Sequence, residues 1–533
     1  MLRCAAAQTR STASPPRASS RTRLPTPRRL LKNRESTVSE PFPLFIGGRA
    51  HAGVSVIERE NPSRPAEIVG SVAAGDAALT TLAIDAAQLA FPAWAELGVE
   101  VRTGLVREAI SRASATNPDR AEMLARELGK VAVDALGELG FAAAFAAYAA
   151  PVAERLSADV VVEDAEGRLV TVQEPFGVIA AITPWNAPVI LAALKVVPAL
   201  MTGNTMVLKP SPLAPLAVTQ FLSEVASQLP DGVLNIVNGG MEVGETLVAD
   251  PRIAKITFTG GLATARSIAA TAARRVTPTV MELGGNDAAI FLPDAEYTEA
   301  MYTRAVFGAF LTSGQVCMAI KRIFVPVDRH DEFVAGFLAA AEKVLHVRNP
   351  LDPTSTMGPV VSREHQSRLN DLIRSAEAAG GTLHEVGSWE VADEDADGYW
   401  VRPTLVTGLT DEHPLVSDEQ FGPVVPVLTY QSEDEVVRRA NSVEQSLASS
   451  VWSTDDEHAA AVARRLDVGF TFLNCANRAG TSLRAAFGGR GLSGHGREFG
   501  PLGLGEYLQS HSINYPNAVR QGTALGNAYP VPA

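Results

Sequence analysis

The sequence predicts an α/β protein of two successive lobes, each a parallel sheet covered by helices. Three observations carry that expectation. Short β-branched runs alternate with helix-length segments, the spacing that joins parallel strands through crossover helices. The alternation comes in two blocks, one ending near Phe258 and one beginning at Asp287. A chain of 533 residues is also too long for one ordinary core, so two or three domains are expected.

In chain order, structure is expected to begin near Pro43, where Pro-Leu-Phe-Ile-Gly-Gly reads as a short strand entering a turn. Helical patterns at 77–97, 101–116 and 118–145 follow, then β-like runs at 168–174, 178–182, 205–208, 233–237 and 255–258. The second block suggests strands at 288–291, 322–325, 404–407, 424–430 and 471–473, with helices at 331–345 and 362–379 between them. The nearly continuous apolar stretch 135–153 carries Glu138 and is broken by Pro151, so it reads as a buried or interface helix and no membrane association is expected. Glu394-Asp-Ala-Asp reads as a solvated loop, and no metal site is expected.

Charge and cysteine content narrow the function. With 46 Lys and Arg against 59 Asp and Glu, the net charge of −13 disfavours nucleic acid as a partner, because phosphate meets a repelling average surface. Three cysteines make no disulfide framework and imply a reducing compartment, with the cytoplasm as the expected location. The segment 1–33 lacks acidic residues and scatters Arg among Ser, Thr, Ala and Pro, as an organelle transit peptide does. Its Pro15, Pro16, Pro25 and Pro27 interrupt an amphipathic helix. Residues 1–38 therefore read as a basic disordered tail or over-long start, or as a targeting segment for the mitochondrial matrix.

Several loops could carry chemistry. Ser-Gly-Gln-Val-Cys317-Met places a thiol in a small-residue turn after an apolar run. A single cysteine is more often a small buried hydrophobe than a nucleophile, so its partners decide. Thr-Pro-Trp185-Asn186-Ala-Pro is a rigid, proline-bracketed turn at a strand end, suited to aiming an amide at an oxyanion, although a lone Asn there usually makes an Asx turn. Lys209 ends a short strand, where ligands of open α/β sheets bind, and Phe-Thr-Gly260-Gly261 feeds a helix N-terminus suited to phosphate. The literal G-x-G-x-x-G at Gly489, Gly491 and Gly494 lacks a following strand–turn–helix and reads as structural.

Met-Glu282-Leu-Gly-Gly-Asn286, the Cys317 run about thirty-five residues later, Pro-Trp-Asn186, Lys209-Pro-Ser, Phe-Thr-Gly260 and Glu419-Gln-Phe421-Gly-Pro together resemble, in order and spacing, the aldehyde dehydrogenase superfamily. The match covers roughly 40–515. It is similar to a bacterial branch of uncharacterised members, and its Trp-Asn-Ala-Pro-Val-Ile turn to aromatic-aldehyde enzymes. The resemblance implies an aldehyde dehydrogenase fold: a doubly wound cofactor domain (39–156 and 174–282), an α/β catalytic domain (283–502) and a small oligomerisation hairpin (157–173 with 503–533). It further implies Cys317 as nucleophile, Asn186 and the Cys317 N–H as oxyanion donors, and Glu282 as general base. Lys209 is implied for the adenosine ribose, Glu419 for the nicotinamide ribose, Phe421 beside the nicotinamide, and Trp185 and Gly260 bordering the pyrophosphate. The expected partners are an aldehyde and further copies of the chain, as homodimer or homotetramer.

Some positions depart from that pattern. Where many NAD-preferring members carry an acidic residue three positions beyond the lysine, this chain has Pro212, so NAD is expected with NADP possible. Gly261, Ala265, Asn286 and Gly491 also replace commoner residues. The implied aldehyde tunnel is lined by Ala187, Ile190, Leu191, Leu194, Val316, Met318 and Phe487, an apolar set favouring aliphatic or aromatic aldehydes, with Arg478 or Arg484 as polar additions. Two other functions are weighed. An acylating, coenzyme A-dependent relative typically lacks a base like Glu282, and a non-catalytic oligomer has no need of Asn186, Glu282 and Cys317 together.

Overall fold

In the computed structural model, which describes residues 40–115 and 118–516, the chain builds two large sheets, a three-stranded sheet and three two-stranded pairs. The basic stretch 1–38, with Cys4, and the residues beyond 516 lie outside the described residues. The first large sheet has eight strands. Its middle is parallel, in spatial order Leu234–Ile236, Thr205–Lys209, Val178–Ile182, Ile253–Thr259 and Thr279–Glu282. In chain order this is 3-2-1-4-5, so winding reverses between Val178–Ile182 and Ile253–Thr259, the position at which open α/β sheets bind ligands outside the carboxyl ends of their strands. The hairpin Leu44–Ile46 with Arg49–His51 closes one edge, and the antiparallel pair Gly494–His495 closes the other.

The second sheet has seven strands, all parallel except the edge Thr382–Glu385. Every strand expected in the second block is present, within a residue or so at its ends. The strand Ala448–Trp452, between Ala288–Phe291 and Phe470–Leu473, has no counterpart in the sequence reading, because Ala-Ser-Ser-Val-Trp lacks the β-branched density that marks strands. The hairpin Ser55–Asn61 with Arg64–Ala74 is likewise additional.

The helices at 77–97 and 101–116 are found as Ala77–Glu96 and Val99–Ser114. The single helix expected over 118–145 is instead two, Pro118–Leu128 and Ala132–Leu156. Gly129 makes the break. Its φ of 72° is left-handed, and a Cβ there would come within 2.6 Å of Pro359 Cγ. Ala132–Leu156 has the length and hydropathy of a membrane span, yet it packs against Val99–Ser114 and Pro188–Met201 and buries Glu138. A third, antiparallel sheet joins Leu508–Pro516, Gly167–Pro175 and Val160–Glu163.

Candidate active site

The helix Glu299–Phe310 ends in a turn where Thr312, Ser313 and Gly314 take φ values of 56°, 59° and 69°. Left-handed backbone costs the two non-glycine residues on the order of 1–2 kcal/mol each. Specific bonds hold it in place. Ser313 Oγ donates to Gly358 O (2.8 Å), Val361 N donates to Gln315 Oε1 (3.0 Å), and a Cβ on Gly314 would lie 2.4 Å from Gly422 O. The turn delivers Cys317 half-buried, with no acceptor for its N–H among the described residues. Burial of the sulfur pushes the thiol up to about 12, with Lys321 opposing and Asp287, Glu419 and Glu282 adding to the rise.

Asn186 sits in the turn between the strand Val178–Ile182 and the helix Pro188–Met201. It is buried, and its Nδ2 donates to Gln315 O at 3.1 Å, inside the cysteine turn. Lys130 Nζ donates to Asn186 O at 2.7 Å and pairs with the buried Glu138. Glu138 Oε2 in turn accepts from Val189 N (3.2 Å), capping a helix whose N-cap residue, Ala187, offers no side-chain acceptor. The pair thus braces the turn from both ends.

Glu282 ends the strand Thr279–Glu282, next to Thr259 on the neighbouring strand. Its Oε1 is buried with no hydrogen-bond partner among the described residues, and a Cβ on Gly488 would lie 2.5 Å away. Lys195 Nζ donates to Thr259 Oγ1 and to Glu498 Oε1, both at 2.7 Å. Burial and Glu498 hold Glu282 well above the ordinary carboxylate range, while Lys195 and Arg497 oppose them. In the late G-x-G-x-x-G, Gly494 pairs with Glu282 across the strands, and a Cβ there would fall 2.0 Å from Met281 O.

The remaining predicted residues bear on a dinucleotide. Lys209 ends its strand buried, with Nζ donating to Pro210 O (3.1 Å), and burial lowers it to about 8. Gly260 follows the strand Ile253–Thr259, and the helix Leu262–Ala273 then starts at Gly261 with no side-chain cap and open space around the missing Cβ, as phosphate requires. Glu419 Oε1 accepts from Gly285 N at 3.1 Å. A Cβ on Gly284 would fall 1.8 Å from Glu419 Oε2, so a side chain there would require the carboxylate to move. Trp185 and Phe421 meet edge to face at 5.6 Å, with His365 at 6.0 and 6.4 Å from them. Burial lowers His365 to about 4, so its ring is neutral and Nε2–H donates to Phe421 O (2.7 Å). Flat aromatic walls, a strand-end lysine and an uncapped helix N-terminus fit an adenine dinucleotide.

Ala187, Ile190, Leu191, Leu194, Met318 and Phe487 join the apolar cluster against which Cys317 packs, whereas Val316, though buried, stands outside it. Phe141, Phe145, Phe499 and Phe470 extend that lining through ring contacts of 5.6–6.2 Å. Arg478 is committed to Asp134 (2.8 Å) and Thr312, and Arg484 is exposed. Sequence reasoning missed Lys130, Glu138, Lys195, His365, Lys321 and Glu498. For Lys195 and Glu138 the available signal was a charge inside an apolar stretch, as in Leu-Ala-Ala-Leu-Lys195-Val-Val; the polar neighbours of His365 and Glu498 give none.

Residues 49–513 match the model of the aldehyde dehydrogenase family. A peroxisomal aminoaldehyde dehydrogenase of Pisum sativum is 34% identical over 485 residues, 88% of this chain and 95% of its own. An NAD-dependent aldehyde dehydrogenase from Sinorhizobium meliloti superposes with a TM-score of 0.85 at 28% identity, covering 93% of this chain and 96% of its own. A betaine aldehyde dehydrogenase from Staphylococcus aureus, solved with NAD+, gives 0.83 at 30% identity, covering 88% and 94%.

Proposed function

The chain belongs to the aldehyde dehydrogenase family and oxidises an aldehyde to the carboxylic acid with NAD(P)+, and from that premise we propose which side chains carry each step. Cys317, its thiol proton released to solvent, attacks the aldehyde carbon through sulfur while the carbonyl π pair moves to oxygen, and a thiohemiacetal oxyanion forms. The Asn186 amide and the Cys317 N–H stabilise the oxyanion. A dinucleotide held at this site would supply the hydride acceptor. The thioester left on Cys317 is then cleaved by water whose proton Glu282 removes, which frees the acid and restores the thiol. Lys209, Glu419, Phe421, Trp185 and Gly260 hold the dinucleotide. Pro212 supplies neither a ribose ligand nor a repelling charge, so NAD+ is favoured only weakly over NADP+.

The observation that carries this reading is the meeting of Asn186 Nδ2 with the cysteine turn at 3.1 Å, beside a base whose Oε1 has no other partner among the described residues. Cofactor binding is assigned to 39–156 and 174–282, chemistry to 283–502, and self-association to 157–173 with 503–533, in the cytoplasm. The substrate is a neutral aliphatic or aromatic aldehyde. The lining is apolar, and Arg478, which reaches the turn at Thr312 Oγ1, is already paired with Asp134. The same pairing withholds Asp134 from a cationic aminoaldehyde, the substrate class in the pea relative's name.

One experiment with hexanal, benzaldehyde and succinic semialdehyde tests site and substrate together. C317S should lose oxidation of all three while still binding NAD+. E282Q should give a burst of about one reduced nicotinamide per site and then turn over about 10²–10⁴-fold more slowly. Turnover in C317S, or a preference for the semialdehyde acid, would overturn the corresponding assignment.

A further inference from the structure

Lys321 immediately precedes the strand Arg322–Pro326 and is almost wholly enclosed, with 2% of its side chain exposed. Its backbone is pinned, because Lys321 N and Arg322 N both donate to Asp287 O, at 3.0 and 3.1 Å. Its ammonium turns back under the cysteine turn. Nζ donates to Cys317 O at 2.6 Å and to Val316 O at 2.9 Å, and lies 3.5 Å from Glu419 Oε1. A buried ammonium needs acceptors and a countercharge, and here both come from the two loops implicated in chemistry and cofactor binding.

We propose that Lys321 is a positioning residue that ties the nucleophile turn to the Glu419 loop and sets how readily Cys317 ionises. The proposal rests on the reading of Cys317 as nucleophile. A second contact joins the same loops, because Gly314 backs onto Gly422; Gly285, on the segment after Glu282, bridges them from a third side, donating its N–H to Glu419 Oε1 at 3.1 Å while a Cβ there would lie 3.0 Å from Cys317 O. The charges facing the sulfur are Lys321, Asp287, Glu419 and Glu282, with Arg322 facing Asp287 and Arg368 facing Glu419 from behind. Lys321 is the only cation in the set facing the sulfur itself, and Glu419, at 3.5 Å, competes for its field. Weakening the lysine and weakening the glutamate must therefore move the thiol in opposite directions.

The test is alkylation of the free, full-length protein by iodoacetamide across pH, read by peptide mass at Cys317, with Cys475 as internal reference. K321Q should raise the Cys317 midpoint by about one pH unit or more, and E419Q should lower it, while Cys475 stays in place. K321R, which keeps the charge, should stay near wild type, and it carries the test against E419Q if K321Q fails to fold. Coincident Cys317 profiles, shifts of the same sign in K321Q and E419Q, or a Cys475 midpoint that moves with Cys317 would overturn the proposal. Turnover by C317S would instead overturn the nucleophile reading and leave these profiles untouched.

Discussion

Glu282 faces opposing neighbours, Glu498 raising and Lys195 lowering its affinity for a proton, on top of burial that raises it. A general base works only when ionised, so in the role proposed for Glu282 the thioester-cleaving rate should climb with pH through the residue's raised pKa. Its acid limb therefore lies above that of an ordinary glutamate. Lys195→Met removes the opposing charge, so the limb should move to higher pH while the alkaline rate changes less. Stopped-flow measurement of the steps after the hydride burst separates this limb from thiol ionisation, and an unmoved limb would show that Lys195 does not act on Glu282. Residues of this kind mark where sequence reading stopped. Asn186, Glu282 and Cys317 were legible as candidates because each sits in a run of distinctive neighbours. Lys195 and Lys321 were not, because a lone lysine beside an apolar run reads as a solvated charge until the fold encloses it.

Elements were legible where local pattern and tertiary demand agree. The strands Ala288–Phe291, Thr404–Thr407 and Val424–Tyr430 have the boundaries their β-branched runs suggest. Ala448–Trp452 becomes a strand because two others flank it, a fact absent from its own five residues. The break at Gly129 is also tertiary, since it lets Pro118–Leu128 turn Glu127 inward to cap the helix Leu216–Ala226, whose N-cap Pro215 offers no side chain. Glu127 accepts from Leu216 N at 2.8 Å and Ala217 N at 3.0 Å. Burial raises Glu127 from 4.5 to about 7 despite those bonds and Arg59. A carboxyl whose folded pKa is raised binds protons more tightly in the native state, so its stabilising share is full below about pH 4.5 and is lost as pH rises through 7. Glu127→Gln should remove that slope. Relative to wild type, the variant should gain up to about 3 kcal/mol between pH 5 and pH 8, read from urea midpoints. Parallel stability–pH curves would show that Glu127 does not titrate in this window.

At the scale of the molecule, the small sheet is the part least explained by one chain. Val160–Glu163 pairs with Gly167–Pro175 on one side, and no other strand of the described residues covers its outer edge. Its Val160, Val161 and Val162 are 55%, 50% and 50% exposed, and Leu169 beside them is 38% exposed. Three adjacent exposed valines on an open edge are an aggregation template unless another chain pairs with them. This open, apolar edge supports the proposed self-association through the small sheet. Natural sheets block such edges with lysine, so V160K with V162K should place charges where an opposing strand would pack. Light scattering should give wild type a multiple of the 56.2 kDa chain mass and give the double variant a smaller one. The two altered side chains lie on a strand that contributes nothing to the Cys317 site. The dissociated variant should therefore keep iodoacetamide-reactive Cys317, which separates loss of assembly from loss of fold. An unchanged mass would move the interface elsewhere, with the exposed Leu89 and Val133 as the next apolar surface to probe.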